Sequence, residues 1–130
     1  MRLMIALALS LVLIDTATAA DPPRKIDFTQ VLKDQDGDDV FECVDAADKE
    51  CKEKRSVTLG MVANKALSMP EQNLGLDESY RRGRLANQVY KATAAPLAVE
   101  EIALIKKLIA RSYGPMIVFR AVQILDPPTD

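Results

Sequence analysis

Prolines divide this chain more sharply than any other feature. Pro70, Pro96, Pro115 and Pro127-Pro128 cut the stretch beyond Thr58 into segments of helical length. A proline lacks the amide hydrogen and clashes with the preceding turn, so a helix can begin at one but not run through it. Within these segments apolar residues recur at helical spacing. Thr58 has a hydroxyl suited to capping a helix whose face is Leu59, Val62, Ala63, Ala66 and Leu67, ended by Pro70. Asp77 is placed to cap a second helix, with Tyr80, Leu85, Val89 and Tyr90 on its face and Gly83 weakening it by about 1 kcal/mol. An Ala94-Ala95-Pro96 linker follows. Val99 to Tyr113 then spreads Ile102, Leu104, Ile105, Leu108 and Ile109 over a wide arc, with Glu100, Lys107 and Arg111 on the remaining stripe. This third helix is expected at the centre. Gly114-Pro115 breaks it and starts a last helix, Met116 to Leu125, in which only Arg120 and Gln123 are strongly polar.

Before Thr58 the period changes from 3.6 to two. Asp21-Pro22-Pro23 is an extended lead-in, and Ile26 to Val31 alternates apolar with polar as a strand does. Its expected partner is Asp39 to Val44, reached through Lys33 to Asp38, where Asp36-Gly37 supplies the positive backbone angles of a hairpin turn. Residues 45–56 carry eight charges and no apolar period, which reads as a solvated loop. The expected fold is therefore mainly α (α+β): an N-terminal β-hairpin followed by a compact four-helix domain, with residues 21–130 as a single domain.

Residues 1–20 have the zones of a secretory signal peptide: Arg2, an apolar run from Leu3 to Ile14 broken by Ser10, then small residues ending in Ala17-Thr18-Ala19-Ala20. Asp15 is an unusual charge beside the run. The run falls short of the roughly 18–20 residues that span a bilayer. Cleavage after Ala19 or Ala20 is expected, leaving no membrane anchor, and the product would be periplasmic or secreted. In such a compartment the two cysteines, Cys43 and Cys51, are expected to pair. A redox pair would require a shorter spacing, and a zinc site would require two further ligands.

Several function classes lose support on composition. The chain has no His and no Trp, so the common triads and imidazole metal sites are absent. Its 17 basic residues against 19 acidic ones lack the excess that nucleic-acid binding uses. No catalysis is evident and no cofactor is expected, although an enzyme built on Asp, Glu, Ser, Lys or Tyr stays open because spatial convergence is not legible in one sequence. Asp34, Asp36 and Asp38 have the spacing of the first three ligands of a calcium loop, with Asp45 at the twelfth position. Asp39 stands where that loop requires Gly, and a solvated hairpin turn is the competing reading. Arg81, Arg82 and Arg84 form a basic knot that reads as a partner contact or as an ordinary solvent face. Glu100-Glu101 reads as first-turn charge complementing the helix dipole.

The stretches Arg24-Lys25-Ile26-Asp27-Phe28 to Gly37, Thr58-Leu59-Gly60, Glu71-Gln72-Asn73-Leu74, Val99 to Ile109 and Tyr113-Gly114-Pro115 resemble small uncharacterised proteins encoded in tailed-phage and prophage genomes. Those proteins begin near the Ile26 segment without a leader and have a Ser or Thr cap where this chain has Ala98. The resemblance implies a small accessory protein without known catalysis, and carries over no functional residue. The expected function is an exported accessory or binding protein that acts through protein–protein contacts, with an unknown partner or by self-association. A weak calcium-binding protein using residues 34–45 is the alternative, and a phage-derived accessory protein a second.

Overall fold

The computed structural model describes residues 21–128; the leader read over 1–20 lies outside the described residues. Thr58 caps the first helix, α1 (Leu59–Ser68): its hydroxyl oxygen accepts the Met61 amide hydrogen at 3.2 Å. The buried face of α1 is the expected one, with Gly60 added. The second helix, α2 (Leu76–Val89), starts earlier than expected. Asn73 adopts a positive φ of 63° and Gly75 is the N-cap, so Asp77 falls in the first turn, where its charge complements the dipole. Its inward stripe also differs. Arg82, Leu85, Ala86 and Val89 are buried at i, i+3, i+4 and i+7, while Tyr80 is 73% exposed.

The third and fourth helices are α3 (Val99–Ser112) and α4 (Pro115–Leu125). Ala98 has no capping side chain, but Glu101 reaches back to accept the Ala98 amide hydrogen at 2.9 Å. Ile105 and Ile109 of α3 are fully buried, with Ile102 and Leu108 nearly so. In space the helices run α2, α1, α3, α4, each packing on the next, so α1 shares the centre with α3. No helix among the described residues is long and apolar enough to cross a membrane.

The strands depart from expectation. The Ile26–Val31 alternation does not pair with Asp39–Val44. Instead β1 (Arg24–Ile26) runs antiparallel to β4 (Ala95–Leu97), the segment expected to be a linker between α2 and α3. β1 ends at Asp27 because its carboxylate accepts both the amide and the hydroxyl hydrogen of Thr29, at 2.9 and 2.6 Å, and turns the chain. Phe28 is thereby driven fully into the core. The expected turn at Gly37 is present, with φ of 86°, but its flanks pair only through a single Lys33–Asp39 bridge. The hairpin that does form joins β2 (Phe41–Cys43), within the strand expected over Asp39–Val44, to β3 (Lys54–Ser56), which lies inside the stretch read as a solvated loop. Its register sets Glu42 directly opposite Arg55, an opposite-charge pair at 2.6 Å that supplies what a run without apolar residues lacks. Cys43 and Cys51 are disulfide-bonded, with Cα atoms 5.2 Å apart.

Candidate functional site

Residues 41–56 form an arm that contributes nothing to the buried core, which passes from Leu32 directly to Val57. Backbone bonds at its base fix its direction: Val57 donates to the Val40 carbonyl at 2.8 Å and Leu32 to the Val57 carbonyl at 2.9 Å. At its far end Asp48 accepts amide hydrogens from Glu50 and Lys52, and the disulfide closes the loop. Cys51 has a positive φ of 49°, the backbone reversal that brings its sulfur to Cys43.

Between this arm and the helices lies a half-open cleft of about 590 Å³. Phe41, Glu42 and Val44 line it from the arm, Met61 and Lys65 from α1, and Tyr113 from the α3–α4 junction. The Lys65 ammonium sits 5.8 Å from the centre of the Tyr113 ring. Burial, and after it the charge of Glu42, pushes the Tyr113 phenol above its ordinary range, so its hydroxyl stays protonated and able to donate. No sequence motif announces this cleft. Its residues come from segments far apart in the chain, and Lys65 at one edge of the apolar face of α1 carries no local signal that would single it out.

The sequence-predicted candidates lie elsewhere. Asp34 accepts amide hydrogens from Asp36 and Asp38 at 2.9 and 3.0 Å, so its carboxylate holds the turn. Asp45 similarly accepts from Ala47, beyond β2. Among the described residues no three His, Cys, Asp or Glu side chains converge in a way that could hold a metal ion. The turn is also tied to α4: Arg120 donates to the Asp34 carbonyl at 2.7 Å. The basic knot does not form one surface, and two of its arginines share Glu78. Arg82 is buried and bridges Glu71 at 2.6 Å and Glu78 at 3.2 Å, Arg81 pairs with Glu78, and Arg84 is exposed without an ion-pair partner among the described residues.

A second feature is the outer face of α4. Only Ala121 and Leu125 of this apolar helix are buried. Pro115, Val118, Phe119 and Val122 border an open groove, and Phe119 is 56% exposed. No family model, no curated protein and no solved structure matches this chain.

Proposed function

We propose that this chain is an exported accessory protein that acts through protein–protein contacts, and that α4 is its contact surface, pairing with α4 of a second copy. The observation that supports this reading is an apolar helix lying at the edge of the fold with Phe119 exposed on its outer side. A two-fold pairing sets a patch against itself, which any charge on the patch would oppose. Pro115, Val118, Phe119 and Val122 bear none; of the charges beside them, Asp126 at the end of the groove is paired with Arg24 and Lys106, and the Arg120 guanidinium lies 5.7 Å from the centre of the Phe119 ring. Phe119 lies near the middle of the helix, where a two-fold axis would bring two rings together. An 11-residue helix is about 16 Å long and about 10 Å across. Two such faces cover a few hundred Å², less than the roughly 1,200 Å² at the low end of stable interfaces, so the dimer is a reversible one. The disulfide, compatible with an oxidising compartment, supports the export part of the reading.

Sedimentation equilibrium tests the pairing. The mean mass of the chain is expected to rise toward that of a dimer between about 10 µM and 1 mM, and Phe119→Asp to remain monomeric throughout. A wild-type chain that stays monomeric over that range would overturn self-association through α4. Export is tested by fusing residues 1–25 to alkaline phosphatase: an active, processed fusion is expected, and an inactive, uncleaved one refutes it.

A further inference from the structure

We infer that the cleft beneath the arm binds a small amphipathic anion, an apolar body of drug-like size ending in one carboxylate, with Lys65 as the anchoring cation. At about 590 Å³ the cleft falls within the usual range for small-molecule sites. Its lining bears two cations, Arg55 and Lys65, against one anion, Glu42, which is a net of +1 on a chain whose formal charge is −2. The carboxylates of Asp45, Asp48, Glu50 and Glu53, farther out on the arm, do not line it. Arg55 is already held by Glu42 at 2.6 Å. Lys65 has no acidic partner within ion-pair distance among the described residues. An ammonium with no acidic partner, 5.8 Å from the centre of the Tyr113 ring, offers a carboxylate a charged donor, and charge-assisted bonds of this kind are the strong ones. Val44, Met61 and Ile117 offer the surface against which an aliphatic or aromatic body is buried. A cationic head in the same position would face Lys65 with nothing but Glu42, already engaged, to offset it.

The inference does not depend on the α4 pairing. Its test uses three probes with one ten-carbon body and different heads: decanoate, decylammonium and decanol, each below its micelle concentration, titrated into the full chain and followed by backbone and methyl chemical shifts. Decanoate is expected to bind saturably at one per chain, with shifts centred on Met61, Lys65 and Tyr113, and at least about tenfold more tightly than decylammonium. Lys65→Gln is expected to bring decanoate down to the affinity of decanol, and Lys65→Arg to retain most of it. Lys65 is exposed, so both variants are expected to keep the fold. The inference would be overturned by no saturable binding, by equal affinity for the acid and the amine, or by decanoate binding unchanged in Lys65→Gln. Shifts centred on Phe119 would likewise overturn it and assign the binding to α4.

Discussion

Gly60 stands where no side chain has room. A Cβ there would lie 2.2 Å from the Tyr90 carbonyl oxygen and 3.0 Å from that of Phe28, both backbone atoms that cannot swing aside. Its amide donates to Phe28 at 2.8 Å, so α1 is drawn hard against the crossing chain. Alanine would gain about 1 kcal/mol of helix propensity, but overpacking costs about 1–3 kcal/mol or more and dominates. Gly60→Ala is therefore expected to lower the melting temperature; a rise would show that the contact relaxes freely. Asp34 supports a second prediction. Two of its acceptor sites are used by the Asp36 and Asp38 amides, and the four aspartates of the calcium-like spacing do not converge. The melting temperature is expected to rise no more in millimolar calcium than in magnesium at equal ionic strength. A calcium-selective rise that vanishes in Asp36→Asn would place the chain among calcium binders. Arg82 shows how one residue type hides a pattern. The stripe 82, 85, 86, 89 has helical spacing, but its first member is a charge, which an apolar period does not count. Glu71 and Glu78 make the burial of Arg82 tolerable, and neither partner is identifiable before the chain is folded.

Among the elements, the helices follow from local rules and the strands do not. A capped, proline-bounded amphipathic run contains its own hydrogen-bond partners four residues away, so α1, α3 and α4 form near the expected limits. A three-residue strand depends on whichever segment lies beside it. Ala95–Leu97 became β4 because packing α3 on α1 carries it past Arg24–Ile26, a long-range event with no local signature. The arm is the most separable element, since no residue from 33 to 56 belongs to the buried core. By loop entropy its nine-residue disulfide ring is worth about 2.5 kcal/mol. Reduction is expected to lower the free energy of unfolding by about that amount while leaving the helical far-ultraviolet signal of the folded state intact. Loss of that signal on reduction would show the arm to be integral to the core.

At the scale of the whole molecule, two carboxylates bind distant elements together. Glu71 accepts from Arg82 at 2.6 Å and Arg111 at 3.1 Å, joining the α1–α2 connection to α2 and α3. Asp126 accepts from Lys106 at 2.9 Å and Arg24 at 3.2 Å, joining the end of α4 to α3 and β1. The Arg82 hydrogen bond, then that of Arg111, holds Glu71 below the ordinary carboxylate range; Lys106, then Arg24, does the same for Asp126. A carboxylate depressed in the folded state contributes stability that is fully present above its unfolded value, about 4, and is lost as pH falls through the lower folded value. Denaturant midpoints are thus expected to be flat in this respect above about pH 5 and to fall below about pH 4. Glu71→Gln should flatten that acid limb. An unchanged slope would show that the network carries no linkage. Both networks are partly exposed, so added salt is expected to weaken the effect.

The sequence by itself determined four helical segments, their punctuation, most of the core and the pairing partner of each cysteine, because capping, periodicity and a count of two thiols act over short distances or admit a single answer. Only the tertiary structure decided which strands meet, that Arg82 turns inward, that α4 lies outermost with Phe119 uncovered, and that Lys65, Tyr113 and the arm enclose one cleft. Those outcomes depend on segments separated by tens of residues coming together, and on which burial the ion pairs of Glu71 and Asp126 make tolerable.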